Sequence, residues 1–156
     1  ETVVEINDKR KKQMANRVIA ACDGSLDGKT IAVLGVTFKP NTDDMRDSPS
    51  LDILPAMQKA GATIRAFDPE GMTEAKEMMD GVIWCEDAYD AMTDADAVAI
   101  VTEWNQFRAL DLDRMKDLLS EPVMIDLRNI YNPDEMAQAG FHYVSIGRPA
   151  TLSAPA

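Results

Sequence analysis

Six short hydrophobic runs recur along the chain, each bounded by glycine, proline or polar residues. They are rich in β-branched and small apolar residues at consecutive positions, which is typical of parallel strands buried on both faces. We predict strands at Thr30–Val36, Thr63–Phe67, Val82–Cys85, Ala97–Thr102, Val123–Leu127 and Tyr143–Ile146.

Segments of helical character separate these runs. Helices are predicted at Pro49–Ala60, Thr73–Met79, Ala88–Met92, Leu112–Leu119 and Asp134–Ala139. Breakers such as Gly61, Pro122 and Gly140 lie between helices and strands. Strands that alternate with helices in this way imply right-handed crossovers and a parallel sheet covered on both faces. The sequence therefore predicts an α/β fold with a Rossmann-like, doubly wound parallel sheet.

A long N-terminal helix is predicted before this sheet. Thr2–Ala21 contains no glycine or proline, and Val18 and Cys22 lie on one apolar helix face. The apolar residues that open the segment, beginning with Val3, have no capping residue before them except Thr2. This opening is typical of the interior of a longer helix.

The charge balance restricts the class of partner. Sixteen Lys and Arg against twenty-seven Asp and Glu give a net charge of −11, which repels nucleic acid and anionic lipid surfaces. No apolar run approaches the ~20 residues that cross a bilayer, and the charged start does not resemble a signal peptide. We therefore expect a cytoplasmic protein that binds neither nucleic acid nor membrane.

Cysteine and histidine are scarce in the chain. Cys22, Cys85 and His142 are too few and too widely spaced for a disulfide framework or a metal site. Cys22 falls on the apolar face of a helix, and Cys85 is followed by two acidic residues that would raise the pKa of its thiol. We therefore expect no catalytic residue and no metal ligand among them.

Polar segments follow the first and the fifth predicted strands, and they contain Lys39, Arg46 and Arg128. Ligands of open α/β sheets bind beyond the carboxyl ends of the strands. The three cations are thus expected at one edge of the sheet, where they would form a positive pocket for a phosphate or pyrophosphate. The alternative is that each cation pairs with a nearby carboxylate, namely Asp43, Asp44, Asp47 or Asp126.

The segment after the first strand lacks the glycines of a dinucleotide-binding turn. Such a turn follows the pattern G-x-G-x-x-G, which lets the backbone approach a pyrophosphate. Here Gly35 stands alone. Asp68 ends the second strand, but a carboxylate before proline is a common turn residue and carries little weight. We expect that the chain does not bind NAD by itself.

Two aromatic residues follow the most apolar strand. Trp104 and Phe107 could stack on a nucleotide base, or they could pack at the junction between strand and helix, which aromatic residues do more often.

Four blocks of sequence are similar to those of one family. Gly35–Ser48 reads G-x-T-F-K-P-N-T-D-D-x-R-D-S, which resembles the signature that opens the C-terminal domain of UDP-glucose and GDP-mannose dehydrogenases. Phe67–Pro69, Thr102–Phe107 and Asp126–Asn129 resemble three further blocks of this family in the same order. The resemblance extends to about Gly147, and four ordered blocks are far more specific than a single one.

The resemblance implies a place for this chain in a three-part enzyme. Members of the family have an NAD-binding Rossmann domain, a central helical region with a catalytic cysteine, and a C-terminal UDP-binding domain. They oxidise the 6-hydroxymethyl group of the sugar to a carboxylate with two NAD, through a thiohemiacetal and a thioester. Residues 1–23 would end the central connecting helix, 24–147 would be the nucleotide-sugar-binding domain, and 148–156 a flexible tail. The chain alone would be inactive.

The resemblance also implies roles for four residues. Phe38 and Lys39 would line the sugar-nucleotide site, with the ammonium group of Lys39 directed at the substrate. Arg128 would also bind the substrate. Arg46 would reach the NAD that the missing N-terminal domain of its own chain holds. The full-length protein would be a homodimer in polysaccharide biosynthesis. It would act on UDP-glucose, because Thr37–Thr42 is closer to the sequence of the UDP-glucose branch than to that of the GDP-mannose branch.

Two alternatives remain open. One is a dehydrogenase of the same family that acts on GDP-mannose or on a UDP-N-acetylhexosamine. The other is a free-standing module that binds a nucleotide sugar without chemistry. Such a module would begin at a capped helix or a strand, whereas this chain begins in what resembles a helix interior.

The isolated chain is expected to bind NAD and NADH negligibly, because it lacks the cradle of backbone amides that a pyrophosphate requires. Isothermal titration calorimetry of the chain with each nucleotide checks this. A dissociation constant in the micromolar range would contradict the prediction.

Overall fold

A six-stranded parallel sheet organises the part of the chain that our computed structural model describes, residues 15–22, 24–37, 48 and 50–145. Its strands are β1 (Thr30–Leu34), β2 (Thr63–Phe67), β3 (Ile83–Trp84), β4 (Ala97–Ile100), β5 (Val123–Asp126) and β6 (His142–Ser145). The strand order is β3-β2-β1-β4-β5-β6, and every neighbouring pair is parallel. This is the doubly wound order of Rossmann folds, so the predicted fold class is confirmed.

Seven helical segments accompany the sheet within the described ranges. They are α1 (residues 15–21), α2 (Ser50–Lys59), α3 (Met72–Met78), α4 (Ala88–Met92), α5 (Asn105–Arg108), α6 (Leu112–Leu118) and α7 (Pro133–Gln138). The predicted strands and helices agree with these bounds to within two residues, but the sequence pattern does not predict α5. Residues 1–14, which carry the predicted opening of the long helix, and the predicted tail 148–156 lie outside the described residues.

Helices cover both faces of the sheet, and successive residues of β1, which point to opposite sides, are therefore buried from Ile31 onward. In β1, Ile31 and Val33 belong to one hydrophobic cluster, which includes α1 and α2 residues such as Val18 and Ile53. Ala32 and Leu34, which alternate with them, belong to a second cluster, which includes residues of α4 to α7. Burial on both faces explains why the strands are apolar at consecutive positions.

Polar side chains cap the first turns of α4, α6 and α7. Asp87 caps α4 and accepts a hydrogen bond from the backbone amide of Asp90. Asp111 caps α6, and Asn132 caps α7 directly before Pro133, which needs no amide partner. Each cap stabilises its helix by about 1 kcal/mol. Sequence and local structure therefore agree at these three positions.

The first helix is attached to the sheet at both of its described ends. Arg17 Nη1 donates to the carbonyl oxygen of Ser145 in β6 at 3.0 Å. At the other end, Lys29 Nζ donates to the carbonyl oxygen of Cys22 at 2.6 Å. Cys22 itself is buried in the first hydrophobic cluster, which confirms the prediction that it lies on an apolar face.

In the described part of the chain no helix is long and apolar enough to cross a membrane.

Gly35 allows β1 and β4 to leave the sheet in close contact. Its φ angle is +89°, which side-chain-bearing residues rarely adopt, and a Cβ atom there would lie 2.7 Å from the backbone nitrogen of Thr102. The single glycine of this turn therefore faces the neighbouring strand exit. Its small size is explained by packing within the protein rather than by the approach of a phosphate.

Gly35→Ala is expected to lower the free energy of unfolding by roughly 2 to 5 kcal/mol, because a left-handed conformation and an overpacked contact are both penalised. Gly28→Ala is the matched control. Its φ is +74°, but a Cβ atom there would have no neighbour within 4 Å, so only the conformational penalty of about 1 to 2 kcal/mol applies. Urea denaturation followed by circular dichroism measures both, and equal losses would contradict the close contact.

Candidate ligand site at the carboxyl edge of the sheet

The strand order reverses between β1 and β4, and their carboxyl ends are joined by several hydrogen bonds. The amide of Val101 donates to the carbonyl oxygen of Leu34 at 3.0 Å. Beyond the strands, the hydroxyl of Thr102 donates to the carbonyl oxygen of Thr37 at 2.8 Å. Ligands of this fold bind at such a reversal, so the exits of β1 and β4 define the place where a ligand is expected.

A buried carboxylate organises this place. Asp68 follows β2 and is fully buried. Its Oδ2 accepts hydrogen bonds from the amides of Val36 at 2.8 Å and Thr37 at 3.1 Å, and from the hydroxyl of Thr37 at 3.1 Å. Trp104 Nε1, from the exit of β4, donates to the same oxygen at 3.1 Å. One oxygen atom thus connects the exits of β1, β2 and β4.

The other oxygen of Asp68 is also fully engaged. Oδ1 accepts from the amides of Glu70 at 2.9 Å and Gly71 at 2.8 Å. Gly71 is packed so closely against Thr37 that a Cβ atom on it would overlap the methyl group of Thr37. With six donors around one carboxylate, no acceptor site is left for a ribose hydroxyl. Asp68 therefore has a structural role. The sequence-based interpretation of Asp68 as a common turn residue underestimates that role.

The two aromatic residues after β4 are packing residues. Trp104 is buried, and its indole N–H is directed at Asp68. Phe107 is fully buried and meets Phe67 edge to face, with ring centroids 6.3 Å apart. Neither ring presents a face to solvent, so the packing interpretation is confirmed and base stacking by these residues is excluded.

The predicted ligand segment begins and ends close to Val36, two residues beyond β1. Its last described residue before the gap is Thr37, and Ser48 lies after the gap. The hydroxyl groups of Ser48 and Ser50 each donate to the carbonyl oxygen of Val36 at 2.6 Å. Both ends of the segment are therefore fixed over the carboxyl end of β1. Phe38, Lys39 and Arg46, which the resemblance assigns to substrate and cofactor, lie outside the described residues.

A second buried carboxylate closes the loop after β5. Asp126 is fully buried, and its Oδ1 accepts from the amide of Arg128 at 3.1 Å. Its Oδ2 accepts from the amide of Tyr131 at 2.9 Å and from the hydroxyl of Tyr143 at 2.7 Å. Asn129, between the two amides, has a φ of 57°. The carboxylate thereby bends residues 127–131 into a tight loop.

Arg128 lies at the tip of this loop and is directed toward β4. Its Nε donates to the carbonyl oxygen of Val101 at 2.9 Å and lies 3.4 Å from Oε2 of Glu103. Both side chains of the ion pair are partly exposed, at 26% and 30%. Asp126, one of the carboxylates predicted as possible partners of Arg128, accepts from the Arg128 backbone. Glu103, which is not among those predicted carboxylates, is an ionic partner of the guanidinium group.

Tyr131, at the end of this loop, connects it to α5. Its hydroxyl donates to the carbonyl oxygen of Phe107. Burial raises the pKa of the Tyr131 hydroxyl, and the nearby charge of Asp126 raises that pKa further. Tyr131 therefore remains protonated and acts as a hydrogen-bond donor at neutral pH.

Neither cysteine in the described residues is an activated nucleophile. Cys85 is buried, and burial is the main cause that raises the pKa of its thiol above the usual value. Arg65 opposes this shift, whereas Asp90 and Asp87 add to it. The direction agrees with the prediction, although Glu86 is not among the causes. No cluster of three or more His, Cys, Asp or Glu in the described ranges could hold a metal ion.

The sequence of the chain matches a known protein family. Residues 32–133 match the sequence profile of the UDP-glucose/GDP-mannose dehydrogenase family, UDP binding domain. A UDP-glucose 6-dehydrogenase of Rhizobium meliloti (strain 1021) is 54% identical over 149 residues, which cover 96% of this chain and 34% of that protein. The UDP-glucose 6-dehydrogenase TuaD of Bacillus subtilis (strain 168) is 43% identical over 151 residues, covering 96% and 32%. The chain therefore spans about a third of the length of these relatives.

Solved structures agree with this relationship. An NDP-N-acetyl-D-galactosaminuronic acid dehydrogenase from Methanosarcina mazei Go1 superimposes with a TM-score of 0.81 at 31% identity, covering 92% of this chain and 30% of that one. A UDP-glucose dehydrogenase from Pyrobaculum islandicum gives a TM-score of 0.70 at 27% identity, covering 89% and 29%. The sequence match, the strand order and these superpositions together show that the chain belongs to the UDP-glucose/GDP-mannose dehydrogenase family, of which it contains the UDP binding domain.

Proposed function

We propose that this chain is the nucleotide-sugar-binding part of an NAD-dependent dehydrogenase that oxidises UDP-glucose to UDP-glucuronate. The observation that carries the proposal is the position of Arg128. Its guanidinium group lies at the carboxyl edge of the sheet beside the strand reversal and is partly exposed. A guanidinium group is well suited to bind a phosphate oxygen. The names of the relatives at 54% and 43% identity support UDP-glucose as the substrate.

The ion pair with Glu103 does not prevent Arg128 from binding an anion. A partly exposed pair of this kind contributes about 0 to 1 kcal/mol. A hydrogen bond between a charged guanidinium and a phosphate oxygen contributes about 1.5 to 3 kcal/mol. The contact with phosphate is the stronger of the two, so a bound substrate is favoured over the ion pair. Arg128 would then be shared between the carboxylate and the diphosphate, and its Nε would keep the bond to Val101.

The segment after β1 would supply the other substrate contacts. We propose that Phe38 and Lys39 line the same site, because the described ends of their segment are fixed over the carboxyl end of β1. Arg46, on the same segment, would contact NAD held outside this chain. Residues 24–147 would then form the nucleotide-sugar-binding unit, and 1–23 the end of a connecting helix.

NAD itself does not fit the described residues. The glycine of the first turn faces Thr102, so the backbone cannot approach a pyrophosphate there. Asp68, at the position of a ribose-binding carboxylate, is saturated by donors of its own chain. NAD binding and the catalytic thiol would therefore belong to a part of the full-length enzyme outside this chain. That enzyme would be a cytoplasmic homodimer.

A second substrate class is supported by one comparison. The Methanosarcina mazei structure, which superimposes with a TM-score of 0.81, is an NDP-N-acetyl-D-galactosaminuronic acid dehydrogenase. A UDP-N-acetylhexosamine is therefore the main alternative substrate. Profiling the full-length enzyme with UDP-glucose, UDP-N-acetylhexosamines and GDP-mannose distinguishes them. Higher kcat/KM for an N-acetylated sugar nucleotide than for UDP-glucose would overturn the proposed substrate.

Arg128→Ala in the full-length enzyme is expected to lower kcat/KM for UDP-glucose about ten- to hundred-fold, because it removes a charge-assisted contact of roughly 1.5 to 3 kcal/mol. Lys39→Ala should have an effect of similar size. Lys59→Ala is the charge-matched control, since Lys59 is exposed at the end of α2, which precedes β2 and lies at the opposite edge of the sheet.

Steady-state kinetics with each substrate varied separately measures these effects. Normal kinetics in folded Arg128→Ala and Lys39→Ala enzymes would mean that the substrate site lies elsewhere. Arg46→Ala adds a contrast, because its loss should raise KM for NAD more than KM for UDP-glucose. Melting temperatures of all variants separate loss of binding from loss of folding.

A further inference from the structure

We infer that Asp126 is a positioning residue for substrate binding, and that Tyr143 in β6 holds its carboxylate in the orientation that places Arg128. The inference rests on the proposed function, in which Arg128 binds the sugar nucleotide. It assigns a role in ligand affinity to two buried residues that are separated from the strand reversal by one or two strands.

The backbone of Arg128 is fixed by Asp126. The carboxylate accepts the amide of Arg128 on one oxygen and the amide of Tyr131 on the other. These two bonds join the beginning and the end of the loop to the last residue of β5. They also hold Asn129 at a φ of 57°, a conformation that residues with side chains seldom adopt. Without the carboxylate, the loop would lose the contacts that favour this bend.

Tyr143 determines how the carboxylate is turned. Its hydroxyl donates to Oδ2 of Asp126 at 2.7 Å and lies 3.1 Å from the carbonyl oxygen of Tyr131. Asp126 pairs with Ser145 in the β5–β6 register, so Tyr143 lies two residues earlier on the same face of β6. Tyr143 is fully buried, as is Asp126. Because both groups are shielded from solvent, water cannot readily replace a lost hydroxyl.

The side chain of Arg128 depends on this backbone position. Its Nε reaches the carbonyl oxygen of Val101 and the carboxylate of Glu103, both at the exit of β4. The guanidinium group is therefore held from two directions, by β5 through the backbone and by β4 through Nε. A shift of the loop would change the distance to both acceptors on β4, and it would move the guanidinium group relative to a bound diphosphate.

Tyr143→Phe and Tyr89→Phe in the full-length enzyme test this inference. Each removes one tyrosine hydroxyl. The Tyr143 hydroxyl donates to Asp126, whereas the Tyr89 hydroxyl lies outside the loop after β5 and accepts a hydrogen bond from the amide of Asp111, which caps α6. We expect Tyr143→Phe to raise KM for UDP-glucose about three- to ten-fold, with kcat and KM for NAD nearly unchanged. Tyr89→Phe should leave all three within about two-fold.

The outcomes distinguish this inference from the proposed function. If Arg128→Ala weakens UDP-glucose binding but folded Tyr143→Phe does not, Arg128 is a substrate ligand that Tyr143 does not position. Equal increases in KM for UDP-glucose in both tyrosine variants would also overturn the inference, since they would indicate a general loss of stability. If Arg128→Ala has no effect, the proposed function itself fails.

A second variant covers the case in which Tyr143→Phe does not fold. Asp126→Asn keeps the size of the side chain but replaces one acceptor oxygen with an amide nitrogen, which cannot accept the Arg128 or the Tyr131 amide. The inference predicts the same selective rise in KM for UDP-glucose. An unchanged ratio of the two KM values in folded Asp126→Asn enzyme would contradict it.

Discussion

The buried carboxylate of Asp68 is the constraint on which the carboxyl edge of the sheet depends. Its six donors come from the exits of β1, β2 and β4, so a single side chain determines how these three segments leave the sheet. A buried charge is stable only when its hydrogen bonds are complete. The exits of the three strands therefore cannot rearrange independently, and the close packing of Gly35 on Thr102 follows from the same arrangement.

The charges at this edge of the sheet differ from the charge of the whole chain. The net charge of −11 describes the whole chain, but a ligand responds to the charges that face it. Asp68 and Asp126 are both fully buried and directed at amides and hydroxyls of their own chain. Arg128, in contrast, is partly exposed at the same edge. The net charge of the chain therefore does not by itself describe the charges that a ligand at this edge would meet.

The strands could be predicted from sequence because their physical cause is local. Consecutive apolar residues such as those of β2 indicate burial on both faces, and β2 has its predicted bounds. The partners of Asp68 and Arg128 could not be predicted in the same way. Trp104 is 36 positions from Asp68, and the contact between Arg128 and Glu103 depends on the pairing of β4 with β5. Sequence proximity indicates only neighbouring carboxylates as partners. The helix α5 spans only four residues, too few to show helical periodicity.

The fold and the position of an acidic residue do not by themselves determine the ligand. The strand order of this sheet and a carboxylate at the end of β2 both occur in dinucleotide-binding proteins. What differs here is whether the carboxylate has lone pairs left for a ligand. In Asp68 both oxygens accept hydrogen bonds from the chain itself, so a ribose hydroxyl would have to displace a buried donor at a cost of about 1 to 3 kcal/mol. The same strand order can therefore carry a carboxylate that is occupied by donors of its own chain, so the strand order and the acidic residue do not identify a ligand.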